Sequence, residues 1–277
     1  MTATMRRMFN QSKSSVWVCG VVSVFLLVPS VAVAQSDGYR APRTAEGTPD
    51  FNGIWQAINT AHWDIEPHGA SQGTTRELGA LNAMPGGLGV VEGDVIPYRS
   101  EALEQRNDNF ANPVARDPAI KCYLPGVPRA TYMPYPFQII QSAGHIMILH
   151  EFAGAVRTVY MQDHVPAPAP SWMGWSNGRW DGDTLVIETE GFNGMTWFDR
   201  SGNFHSDALR VVERISARSP ETLNYDVTIE DPEIFTRPWT MHMPLYRRVE
   251  ANAELMEFRC VEFVEDLMYG HLRKQPD

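Results

Sequence analysis

From residue 137 onward, apolar and polar side chains alternate with a period of two. Leu223, Tyr225, Val227 and Ile229 alternate with Asn224, Asp226, Thr228 and Glu230, which assigns the two sets to opposite faces of a β-strand. Leu209, Val211, Glu213 and Ile215 do the same against Arg210 and Arg214, and Trp239, Met241, Met243 and Leu245 make another face. Three shorter runs, 137–141, 145–151 and 155–161, are separated by glycine-containing turns. A fourth, 183–190, follows Trp180-Asp181-Gly182, and Asp-Gly favours a hairpin because it tolerates positive φ. Met256, Phe258 and Cys260 predict a last strand, with Cys260 facing the core.

Upstream the alternation breaks. Residues 35–50 read as an extended leader, Gly53-Ile54-Trp55 opens the first apolar run, and 59–97 is an irregular excursion containing Met84-Pro85-Gly86-Gly87. Ser100 ahead of Glu101-Ala102-Leu103-Glu104 predicts an N-capped helix to about Asn107. Across 111–136 the density of proline and glycine, as in Tyr132-Met133-Pro134-Tyr135-Pro136, argues against helix through missing donors and ring clashes. A short helix near 263–269, stopped by Gly270, closes the chain. Roughly eight to ten short strands with tight turns predict a mainly β fold, an antiparallel β-barrel. One domain is expected over 35–277, with 35–136 as leader and insertion and 137–277 as the main strand region. A barrel of about eight strands holds one small ligand or a filled core, and the large inward side chains suit both.

Residues 1–34 differ in kind. Arg6, Arg7 and Lys13 precede an apolar stretch, 16–28, and Ala32-Val33-Ala34 is a small-x-small cleavage site before Gln35. The pattern is that of a signal peptide, so the protein is expected to be periplasmic or secreted. The apolar stretch falls short of the ~20 residues that span a bilayer, so no stable membrane insertion is expected after cleavage. Loss of those three basic residues takes the formal charge from −10 to −13, and an acidic chain repels nucleic acid. Cleavage leaves Cys122 and Cys260. An oxidising compartment permits a bridge between them, and two buried free thiols are the alternative.

Candidate chemistry concentrates in residues 191–206, a connection of 16 residues between two strands, where hairpin loops have about 2–5. It contains Trp197, Asp199, Arg200 and His205. His205 is a candidate acid/base with Asp199 fixing its tautomer; the alternative is a surface loop in which Asp199 and Arg200 pair. On the 145–164 hairpin, Tyr160 is a candidate proton donor and Arg157 a clamp for an anionic group. Glu213 faces inward, either as a ligand-contacting acid or as an ion-pair partner for Arg157 or Arg247, because a buried carboxylate needs a partner. Pro166-Ala167-Pro168-Ala169-Pro170 leads into Trp172 and Trp175, which can stack on an aromatic ligand, and alternation assigns Tyr225 and Trp239 to the interior as further ligand contacts. His150-Glu151 is half of a metalloprotease helix motif, but Gly154 stands where the second histidine belongs, so no metal is expected. The sequence has no glycine-rich phosphate loop, Gly-x-Ser-x-Gly elbow or nucleotide fingerprint, so no organic cofactor is expected either.

Five stretches carry a resemblance: Pro49-Asp50-Phe51-Asn52-Gly53-Ile54-Trp55, KCYLPGVPRATYMPY at 121–135, GRWDGDTLVIET at 178–189, residues 191–206, and DPEIFTRPW at 231–239. Together they resemble a large family of exported Gram-negative bacterial proteins, a resemblance that implies export but no particular activity. Gly53-Ile54-Trp55 is also similar to the Gly-x-Trp that opens lipocalin barrels, which implies a lipocalin-like (calycin) barrel. The expected function is that of a cofactor-independent lyase or isomerase. It would carry out elimination, decarboxylation or ring opening on an apolar, aromatic small molecule in a barrel cavity. The alternative is a periplasmic lipocalin-like carrier without catalysis.

Overall fold

The computed structural model describes residues 39–72 and 83–272, so the expected signal peptide lies outside the described residues. Strand β1 (Gly53–Ala57) is followed by two two-residue strands, β2 (Ser71–Gln72) and β3 (Ala83–Met84), which pair with each other. Three helices come next: α1 (Ser100–Ala111), α2 (Pro113–Arg116) and α3 (Arg129–Tyr132). The main strands are β4 (Phe137–Gln141), β5 (His145–His150), β6 (Val156–Tyr160), β7 (Trp175–Asp181), β8 (Thr184–Glu190), β9 (Arg210–Ser219), β10 (Thr222–Glu230) and β11 (Trp239–Arg247), and helix α4 (Val264–Tyr269) lies near the C-terminus.

Nine strands close a barrel in the order β1-β11-β10-β9-β8-β7-β6-β5-β4, with β4 returning to β1. The mainly β barrel read from the alternation is therefore what the chain forms. It has one strand more than the eight of a lipocalin, and one junction, β6 on β7, is parallel. The 161–174 connection, which holds the proline run, carries the chain back from one end of the barrel to the other and makes that pairing possible. Period-two burial is exact along β10, where Leu223, Tyr225, Val227 and Ile229 are buried. Tyr225 lies opposite Met243 and Val227 opposite Met241 on β11. The interior is occupied by Trp55, Ile139, Val159, Leu185, Ile187, Val211 and their neighbours, each large side chain contributing roughly 1.5–3 kcal/mol by leaving water. Gly53 (φ +142) leaves room for the Arg247 guanidinium, which lies 4.2 Å over the Trp55 ring. A side chain at 53 would collide with it, so the Gly-x-Trp signal has a packing cause.

The two ends of the barrel differ. At one, β7 turns into β8 and β9 into β10 through tight hairpins. At the other, long connections emerge: 58–136, 191–209 and 231–238. This wide end is covered by α3, whose four residues are all buried. Tyr132 Oη donates to Phe198 O at 2.8 Å, tying α3 to the 191–206 loop. Helix α1 is fixed to the same loop by Asn109 Nδ2 donating to Gly202 O at 3.2 Å.

Several expectations are corrected. Residues 111–136 do hold helical turns: Pro113 and Pro118 stand in the first turn of α2 and of a 3₁₀ turn, Pro118–Lys121, where a missing N–H costs nothing. Helix α1 runs to Ala111, and Ser100 is its first residue rather than a cap. Strand β7 was not foreseen, since the 175–181 run alternates poorly. The strand expected at 256–260 is not formed, because a closed barrel leaves no edge to receive it. Cys260 is exposed rather than core-facing and is bridged to Cys122 across 138 positions. No helix among the described residues is long and apolar enough to cross a membrane.

Candidate functional site

Among the described residues, the barrel interior holds a polar cluster around Arg157. Arg157 Nε donates to Ser176 Oγ at 2.8 Å, Nη1 to Glu213 Oε1 at 3.0 Å and Nη2 to Thr189 Oγ1 at 2.7 Å, while Nη2 also pairs with Glu213 Oε2. Tyr225 Oη donates to Glu213 Oε1 at 2.7 Å, and its pKa is pushed well above the usual value by burial and the Glu213 charge. Every nitrogen of Arg157 is engaged, and Glu213 is its ion-pair partner, the second of the two roles read for Glu213 in the sequence. Arg157 and Val159 face in while Tyr160 faces out, so Arg157 and Tyr160 lie on opposite faces of β6. Tyr160 instead stacks on Trp175, with centroids 4.5 Å apart.

The 191–206 loop is ordered by Asp199, which is fully buried. Its carboxylate accepts from Ile65 N at 3.0 Å, Ser201 N at 2.9 Å, Asn203 N at 3.2 Å and Asn203 Nδ2 at 2.6 Å. Burial and the charge of Asp64 push its pKa up to about 7, against the pull of the Asn203 and Ile65 donors and Arg129. His205 makes no bond to it. His205 Nδ1 lies 2.7 Å from Ser206 O, and Nε2 lies 2.6 Å from Thr196 Oγ1. A carbonyl only accepts, so Nδ1 carries the proton and Nε2 takes the Thr196 hydroxyl. Burial pushes the His205 pKa down. The expected His205–Asp199 pair is therefore not formed, and both histidine nitrogens are occupied. Trp197 is buried and paired with Phe204. Trp239 packs edge-on against Phe198 and Phe235, and Trp172 stacks on Tyr123.

The cavity that does collect unused chemistry lies at the wide end and has a volume of about 400 Å³. Six distant stretches build it: His62 and Trp63 after β1, Asp117 and Ile120 between α2 and α3, Arg129 to Tyr135, Phe152 after β5, Arg200 of the long loop, and the 258–264 tail. Tyr135, Phe152 and Phe258 form an aromatic wall, with centroids 4.9–5.6 Å apart. The tail is held there by the Cys122–Cys260 bridge, by Met256 N donating to Glu151 Oε2 at 2.8 Å, and by Phe263 N donating to Ile120 O at 3.0 Å.

Its polar residues are deeply buried and incompletely satisfied. Arg129 and Asp117 are each 1% exposed. Asp117 Oδ1 caps the 3₁₀ turn through Ala119 N at 2.9 Å and takes Arg129 Nη1 at 3.4 Å. Asp117 Oδ2, Arg129 Nε, Arg129 Nη2 and His62 Nδ1 have no hydrogen-bond partner. Each such atom costs about 1–3 kcal/mol, more when charged. Burial first, then the charges of Arg129 and Arg200, hold the His62 pKa well below its usual value, so His62 is neutral. Arg200 lies 4.8 Å over the Trp63 ring, and its backbone N–H donates to His62 O at 3.0 Å. Arg129, Arg200 and Arg259 bring guanidinium groups and Asp117 a carboxylate to a lining that also holds the aromatic residues. No group of three potential metal ligands occurs among the described residues.

His62, Asp117 and Arg129 were not legible as site residues. Arg129 lies inside the KCYLPGVPRATYMPY stretch, yet a single arginine in a proline-rich segment carries no spacing rule. No protein-family model matches the chain, and no curated protein matches it.

Proposed function

We propose that the protein is a cofactor-independent enzyme of the lyase or isomerase type that acts on an aromatic small molecule in the wide-end cavity. The observation that carries this is the unpartnered Nδ1 of neutral His62, a residue that lines the cavity together with the aromatic wall, Arg129 and Arg200. A neutral imidazole accepts a proton, and positioned proton transfer contributes roughly 10²–10⁴-fold. The two guanidinium groups stabilise negative charge that develops on the substrate. An anionic ligand offsets the same charges that depress His62, so binding raises its pKa toward working pH and makes it a better base. His62 takes the acid/base role that the sequence suggested for His205. The Cys122–Cys260 bridge supports the exported location expected from residues 1–34, since such bridges persist in oxidising compartments.

The test is a turnover screen of aromatic ethers and carboxylates for loss of CO₂, water or formaldehyde, run on wild type, His62→Gln and His205→Gln. His62→Gln is expected to cut turnover by roughly 10²–10⁴ while retaining ligand binding; His205→Gln should keep turnover wherever it folds. Full turnover by His62→Gln refutes the assignment, and binding without turnover throughout the panel favours the carrier reading.

A further inference from the structure

We infer that the cavity recognises its ligand through a carboxylate, held side-on by the Nε–Nη2 edge of Arg129. This deepens the proposed function and rests on its placing of the site. A guanidinium presents two parallel N–H donors along that edge, spaced to match the two oxygens of a carboxylate. In this structure the edge is left over for geometric reasons. Nη1 is the nitrogen committed to Asp117 Oδ1, at 3.4 Å, while Nε and Nη2 have no partner although the side chain is 1% exposed. Asp117 is in turn fixed by its bond from Ala119 N, so it acts as a positioning residue that sets the plane of the fork. The barrel shows what a purely structural arginine looks like in the same chain. Arg157 is equally buried, and all three of its nitrogens are bonded. Arg129 differs in having an edge without hydrogen-bond partners, and it lines the same cavity as Tyr135, Phe152 and Phe258. An aromatic carboxylate complements both, with its ring on the aromatic residues and its anionic group on Arg129.

The test is equilibrium binding on the full disulfide-bonded protein, independent of turnover, with 4-hydroxybenzoate, its neutral isostere 4-hydroxybenzamide, and inorganic phosphate as probes. Wild type should prefer the carboxylate over the amide by roughly 10–100-fold, the value of a charge-assisted hydrogen-bond pair. Arg129→Lys, which keeps the charge and the ion pair to Asp117 but loses the fork, should reduce that preference by at least about tenfold. The wild-type comparison needs no variant, so it stands even where Arg129→Lys fails to fold. Equal affinity for acid and amide, absence of carboxylate binding, or tighter binding of phosphate overturns the inference. Those results leave the proposed proton transfer standing if His62→Gln still abolishes turnover. Conversely, Arg129-dependent carboxylate binding with an unaffected His62→Gln turnover removes the proposed chemistry and keeps the recognition.

Discussion

Arg129 meets Asp117 through Nη1 alone, at 3.4 Å from Oδ1, so a buried ion pair keeps one carboxylate oxygen and one guanidinium edge without partners. Such a pair is poor as a stabiliser, because desolvation of both charges is only partly repaid. Its retention at the wall of a cavity fits a group kept ready for a ligand. Removing one partner still costs heavily. Asp117→Ala strips both the cap of the 3₁₀ turn and the counter-charge, and is expected to destabilise by about 3–5 kcal/mol in urea melts. A loss below about 1 kcal/mol would show that Arg129 does not depend on Asp117.

The interior cluster gives a second stability prediction. Glu213→Ala leaves Arg157 buried without its carboxylate and Tyr225 Oη without its main acceptor. The expected loss is again about 3–5 kcal/mol. Asp226, on the outer face of the same sheet, pairs with His242 at 2.7 Å where both side chains are about half exposed. Asp226→Ser should cost no more than about 1 kcal/mol. Paired denaturant melts check the order, and a reversal would mean that the register of β9 and β10 is wrong.

The barrel was legible because alternation encodes faces directly, and Glu213, read as inward from Leu209, Val211 and Ile215, is inward. The same parity puts Arg157 and Tyr160, three positions apart, on opposite faces of β6. The wide-end cavity was not legible, because its residues come from loops whose meeting depends on tertiary packing. His62, Asp117, Arg129 and Arg200 follow no common period, and the tail reaches them through the Cys122–Cys260 bridge and two hydrogen bonds to distant stretches. Sequence could permit that bridge but not choose it over two thiols, since choice depends on where 256–260 lies once the barrel has closed.

Acid should reveal the buried groups with opposite signs. Burial first, then the charge of Arg157, takes the His150 pKa down to about 3, against the opposing pull of the Ala130 backbone. The unfolded chain binds that proton near ~6.5, so stability is full above that pH and is lost as pH falls through the window toward about 3. His150→Leu should remove this loss. Its stability relative to wild type should improve by about 1.4 kcal/mol per pH unit below ~6. Asp199 works the other way. Its pKa is about 7 when folded and ~3.9 unfolded, so the cost of ionising it is relieved as pH falls from about 7 toward ~4. Asp199→Asn should lose that relief. Urea melts of both variants between pH 8 and pH 5 check the two slopes.

Reduction should act on the tail. The bridge closes a loop of 138 positions, worth up to ~5 kcal/mol in the chain-entropy picture, and it holds Phe258 to Val261 against the cavity. Cys122→Ser with Cys260→Ser is expected to lower the melting temperature and to weaken aromatic ligand binding together. Measured by thermal melts and equilibrium binding, a lowered melting temperature with unchanged affinity would show that the tail is not a working wall of the site.

The most direct measurement is a crystal structure of the full protein soaked with 4-bromobenzoate, whose bromine is located by anomalous scattering. The bromine should lie at the wide end beside Tyr135 and Phe258, with the carboxylate on the Nε–Nη2 edge of Arg129 and the ring within reach of His62. Ligand found inside the barrel against Arg157 and Glu213, or on the 191–206 loop beside His205, would contradict the assignment of the site.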